Sequence, residues 1–159
     1  YNKAGKANPS DYNVTKTTPI WKQYRIFKNI HFSSMTNIFT GGGATWINGG
    51  HYYTAVFTGF IFPKKTALTT FKIGSDDGSR LYINDVKVID NWKLQATTWK
   101  ESAAIQLTKD IPIKIKLEYF EKGGGHNLYL RWRGQEANPA TFNIISKTRM
   151  KYNNSSQGY

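Results

Sequence analysis

The chain contains no cysteine. A disulfide framework and a thiolate-held metal site are therefore excluded. Acids are scarce: ten Asp and Glu stand against 22 Lys and Arg, a formal net charge of +12. No apolar run approaches the roughly 18 residues that a spanning helix needs. No segment keeps a 3.6-residue period over a useful length, which argues against a helical bundle. His31, His51 and His126 show no metal-protease spacing, and no nucleophile elbow is present. The glycine-rich stretches GGGATW and GGGHN lack the lysine and the strand-to-helix context of a phosphate loop. With so few acids, several of them in turns, catalytic carboxylate pairs are scarce too. No enzyme is expected.

What is present is aromatic and β-forming. Aromatics make up 15% of the 159 residues, with ten Tyr and five Trp, and Gly is frequent. That mix favours strands joined by turns, and the length suits one domain with its own core. The positive charge is dispersed from Lys3 to Lys151, with Lys64-Lys65 the one basic doublet. Dispersed charge marks solvated faces, so no nucleic-acid partner is expected; an anionic surface or an acidic protein partner stays open. The chain begins with Tyr and shows no signal peptide, as a domain of a longer protein would. Asn-x-Ser/Thr triplets at Asn13, Asn153 and Asn154 point weakly to export.

Residues 1–18 are polar and aperiodic and read as an arm or linker, and 153–159 as a frayed tail. The residues between them, 19–152, carry the domain. His51 to Pro63, Thr66 to Ser75, WKESAAIQL and LYLRWR have strand composition. SRLYIND and VKVID form a hairpin turning at Asn84-Asp85. PIKIKLEYF alternates strictly, with Ile113, Ile115, Leu117 and Tyr119 on one face and Lys114, Lys116, Glu118 and Phe120 on the other. Short strands with turns every ten residues or so predict an all-β fold, an antiparallel sandwich or barrel. Trp92, Trp99 and Trp132 read as core. Trp46 lies in a glycine-rich loop, where it either plugs the core or stacks on a sugar face.

One stretch raises a chemical question. In IGSDDGSRLYINDVKVIDNW, Asp76 and Asp77 are adjacent and precede Gly78. Asp-Gly is ordinary turn chemistry, and Gly78 sits where a turn can need positive φ. Paired carboxylates are also hard oxygen ligands of the kind Ca²⁺ takes. Successive strand side chains point to opposite faces, so the two would have to be turned to converge.

SDDGSRLYINDVKVIDNW resembles the signature of the PA-fourteen (PA14) domain, the β-sandwich named after the anthrax protective antigen. YYTAVFTGFIFPKKTALTTFKI resembles the preceding strand pair of that family, and IQLTKDIPIKIKLEYFEKGGGHNLYLRW its closing strands. The resemblance runs from about Ile20 to Ile145. It implies a calcium-dependent carbohydrate-binding module, lectin- or adhesin-like, of a surface or secreted protein. In lectin members two consecutive Asp joined by a cis peptide bond hold the ion, which binds sugar hydroxyls in turn. Carried over, this makes Asp76 and Asp77 metal ligands that also contact the sugar through the ion. Where fungal members place a loop Asn, this chain carries Glu121, with Gly123 and Gly125 as carbonyl donors and Asn127 as an alternative side-chain ligand. That departure alters how a sugar would be seen. His126 and Asn127 stand in the loop expected to face the sugar, beside Trp46. Family members without a sugar site leave a second expectation, a structural or assembly domain of a virion, spore coat or toxin.

Overall fold

A computed structural model describes residues 29–35 and 53–151. The expected arm, the Trp46 loop and the expected tail with two of its Asn triplets lie outside the described residues, as do His51 and Asn13.

The described residues form two antiparallel sheets. One is built on β1 (His31–Phe32), β3 (Ala67–Asp76), β6 (Thr98–Glu101) and β9 (Asn127–Arg133), in the order β1-β9-β3-β6. β7 (Ile105–Leu107) adds to β3, and β10 (Asn143–Ile144) to β9. The other sheet uses β2 (Tyr53–Ile61), β4 (Ser79–Ile83), β5 (Val86–Asn91), β8 (Ile113–Glu121) and β11 (Met150–Lys151), in the order β11-β2-β8-β4-β5. This is the β-sandwich the sequence pattern predicts.

The period-2 alternation sets which side chains face the gap between sheets. Phe71 and Ile73 of β3 and Leu128, Leu130 and Trp132 of β9 turn inward. From the other sheet come Leu81 and Ile83 of β4 and Ile113, Ile115, Leu117 and Tyr119 of β8, all in one buried cluster. Each buried Leu or Ile contributes about 1.5–3 kcal/mol, so this layer fixes the register of every strand that carries the site. The β4–β5 hairpin turns at Asn84 and Asp85, both at positive φ (48° and 67°), as a two-residue turn requires.

Three sequence expectations are corrected. WKESAAIQL is two strands, because the Ser102 hydroxyl accepts the Phe71 amide at 3.0 Å and interrupts the ladder between β6 and β7. Trp99 is 38% exposed and faces away from the core, whereas Trp132 is fully buried. Trp92 is also outside the inter-sheet core: it packs edge-on against Phe120 on the outer face of the second sheet, ring centroids 4.7 Å apart. Trp92 therefore buries Phe120 on the face that alternation alone assigns to solvent.

Candidate metal centre

The site lies where the chain passes from β3 in one sheet to β4 in the other. The Asp76–Asp77 peptide bond is cis. Asp76, Asp77 and Glu121, the last from the end of β8, each place a carboxylate oxygen within 4.8 Å of the others. Asp77 and Glu121 are buried; Asp76 is half-buried and forms the open side.

Each carboxylate is held differently. Asp77 Oδ1 accepts the backbone N–H of Gln95 at 3.0 Å, and Oδ2 that of Lys122 at 2.9 Å. Two amides from different loops thus orient the group. The Gln95 side chain donates to the Asp77 and Ser75 carbonyls at 3.2 and 3.4 Å, bracing the turn from below. Tyr119 is within reach of two acceptors, the Asp76 carbonyl and Glu121 Oε2, the latter at 2.9 Å. Its one proton serves one of them at a time, and a protonated Glu121 can donate back.

Neighbouring carboxylates this close raise the proton affinity of Glu121 and Asp76. Burial, with Asp77 and Asp76 nearby, pushes the Glu121 carboxyl up to about 8, against the opposing hydrogen bonds from Tyr119 and the Gly123 amide. Burial and then the Asp77 charge raise Asp76, with His126 pulling the other way. Without a cation the cluster holds at least part of its charge off by keeping a proton.

Gly124 of the β8–β9 loop is at positive φ (95°), whereas Gly125 and Gly78 serve space. A Cβ on Gly125 would stand 2.7 Å from Asp76 Oδ2, so a side chain there would displace the Asp76 carboxylate. Gly78 is corrected likewise: it is absent from the positive-φ residues, and a Cβ there would meet Phe120 at 2.1 Å. Gly123 gives an amide to Glu121. His126 accepts or donates to Ser34 Oγ at 3.0 Å and stands close enough to act on the Asp76 charge. Asn127 is the cross-strand partner of Asp76. Its Nδ2 donates to Thr97 at 2.7 Å, while its Oδ1 is buried with no hydrogen-bond partner among the described residues. Gln95 Oε1 is orphaned in the same way.

The donor set fits Ca²⁺. All three candidate ligands are carboxylates, and oxygens within 4.8 Å of one another can share one ion at bonds of about 2.3–2.6 Å. Asn127, whose amide oxygen is buried without a hydrogen-bond partner among the described residues, lies opposite Asp76 in the strand register. A cleft of about 460 Å³, lined by Asp90 to Lys93 and Thr98 to Lys100, contains none of the three acids. The carboxylate geometry, not cavity size, locates the centre.

A family model for the PA14 domain matches residues 33–141. The chain belongs to the PA14 domain family. The anti-sigma-I factor RsgI3 of Acetivibrio thermocellus is 33% identical over 84 residues, which is 53% of this chain but 13% of that protein. Among solved structures, an anti-sigma factor domain-containing protein is 26% identical, with a TM-score of 0.67 over 82% of this chain and 42% of its own. A PA14 sugar-binding domain from an RTX adhesin is 19% identical, with a TM-score of 0.55 over 79% of this chain and 76% of its own. The chain thus spans a small part of the curated relative it matches, and under half of the first of these structures.

Three residues that shape this PA14 centre escape sequence reading. Tyr119 reads only as an inward strand residue. Gln95 sits in a polar loop with no signal of its own. The Lys122 amide is invisible because a backbone donor leaves no mark in side-chain pattern.

Proposed function

We propose that this PA14 domain is a calcium-dependent carbohydrate-binding module working at a cell surface or in a secreted protein. The observation that carries the reading is the convergence of Asp76, Asp77 and Glu121 on one point at the rim of the sandwich. Calcium bound there would supply the positive charge and the open coordination positions at which vicinal sugar hydroxyls replace water. Asp77 holds its place through the Gln95 and Lys122 amides. Asp76, on the open side, would hold the ion where a sugar can reach it. Glu121 would hold the ion as a carboxylate, its proton passing to solvent. His126 and Asn127 flank Asp76 and offer hydrogen bonds to the remaining hydroxyls. Nothing in this arrangement calls for bond breaking, so binding rather than catalysis is the reading.

The test is a melting curve in EDTA and in millimolar calcium. A ligand at 100 times its Kd stabilises the folded state by about 2.7 kcal/mol. Native protein is expected to melt several degrees higher in calcium, and Asp77→Asn to show no shift. A glycan array run with and without chelator then reads the sugar. Equal melting in EDTA and calcium would remove the cation and the reading with it.

A second reading has its own support. The anti-sigma factor relatives exceed the adhesin domain in identity. Under it the same site is the ligand-receiving part of a regulatory protein rather than of an adhesin. The two share the binding chemistry and differ in what the rest of the polypeptide does with it.

A further inference from the structure

The outer face of the first sheet carries an aromatic row that the metal centre does not use. Lys72, Gly74 and Asp76 alternate with the buried Phe71, Ile73 and Ser75, so they share that face. The register sets Tyr129 and Trp99 on either side of Gly74. The Trp99 and Tyr129 rings stack at 14°, centroids 5.5 Å apart. Gly74 leaves the room for this: a Cβ there would lie 2.7 Å from the indole. The row sits two residues from Asp76 and Asn127 along β3 and β9, about 7 Å at strand spacing. Trp99 nevertheless stays 38% exposed.

The next position along β9 adds charge. The Arg131 guanidinium stands 4.9 Å from the Trp99 ring centre. Its neighbours Lys72 and Arg133 share Glu101, at 3.1 and 3.6 Å. Arg131 has no carboxylate partner among the described residues, and its Nε is buried without a hydrogen bond. A guanidinium stays ionised at any ordinary pH, so its counter-charge must come from elsewhere.

We propose that Trp99, Tyr129 and Arg131 form a second sugar subsite, continuous with the centre at Asp76, for an acidic polysaccharide. One unit sits at Asp76, Asp77 and Glu121; the next stacks its apolar face on Trp99 and gives its carboxylate to Arg131. The planar fork of arginine matches a carboxylate two-to-two, and the +12 charge of the chain draws such a polymer in. This rests on the calcium-dependent reading of the first site.

The test is calorimetric titration of the full chain in calcium with galacturonate, tetragalacturonate and the carboxyl-reduced neutral tetrasaccharide. Tetragalacturonate is expected to bind about tenfold or more above galacturonate, the scale of one charge-assisted hydrogen bond plus stacking. Arg131→Gln should remove that gain for the acidic chain and leave the neutral one unchanged. Trp99→Ala should weaken both tetrasaccharides and spare galacturonate; Trp99 is outside the core, and circular dichroism checks the fold. Both variants binding tetragalacturonate like native protein, with Asp77→Asn losing every ligand, would overturn the subsite and leave the calcium site standing. Binding that survives chelator and Asp77→Asn but falls in the Trp99 and Arg131 variants would sustain the row and remove the calcium site. A sulfated tetrasaccharide bound more tightly than the carboxylated one would overturn the assignment of carboxylate.

Discussion

Two glutamates on one strand, Glu118 and Glu121, are both buried, at 2% and 0% exposure. They point to opposite faces of β8 and are treated in opposite ways. Glu118 is neutralised by the protein itself: Lys116 lies 2.9 Å away, Arg80 3.8 Å away, and the Tyr82 hydroxyl donates at 3.2 Å. Glu121 is surrounded instead by Asp76, Asp77 and the tyrosine Tyr119. A buried carboxylate with its own cations is a finished structural element. A buried carboxylate clustered with two more lacks such a partner, and burial with Asp77 and Asp76 nearby raises the Glu121 carboxyl to about 8, a charge deficit that the proposed cation would fill. The difference teaches that burial alone does not identify a functional acid; the sign of its neighbours does.

The largest expected effect follows from breaking the unfinished cluster. Asp77→Asn should weaken calcium binding at least about a hundredfold, read by calorimetry, because it removes a ligand and replaces it with a donor facing the Lys122 amide. Glu118→Gln should leave calcium affinity unchanged, and an equal loss in both variants would dissolve the contrast.

The second effect is on pH dependence. The Glu121 carboxyl titrates near 4.5 when unfolded and near 8 when folded. Between those values the unfolded chain binds fewer protons, so stability in EDTA falls as pH rises. From pH 4.5 to 7 the fall is about 3 kcal/mol, at 1.36 kcal/mol per unit. Calcium should flatten it, since the ion needs the carboxylate ionised. Urea melts at stepped pH, with and without EDTA, check this; Glu121→Gln should show a clearly shallower fall in EDTA, the remainder coming from the raised Asp76.

Next in size is Lys116→Met, which strips a cation from Glu118 and should cost about 1–3 kcal/mol in urea melts, equally with and without calcium. The smallest effect is Gly125→Ala. Its methyl would press on Asp76 Oδ2, so calcium affinity should drop about tenfold while stability in EDTA changes little.

Much of this was readable from the residues, for reasons specific to each. The strands of the sandwich announce themselves because alternation is a local property, and Asn84-Asp85 because both residues accept positive φ. Asp76 and Asp77 stand out as neighbours in a chain with few acids, and the PA14 resemblance adds Glu121. What stayed hidden depends on register between strands far apart in the chain. Trp99 reads as core until Gly74 is seen beneath it, and Arg131 reads as a solvated charge until it lies over that indole. Glu118 and Glu121 look alike until Arg80, from another strand, falls beside one of them.

The most direct measurement is a calcium titration at pH 7 that counts protons, run in buffers of different ionisation enthalpy. The account predicts saturable binding with close to one proton released per ion, fading by pH 9 as Glu121 ionises unaided. No binding, or binding with no proton released at pH 7, would contradict it: the cluster would then not be a carboxylate site waiting for a cation.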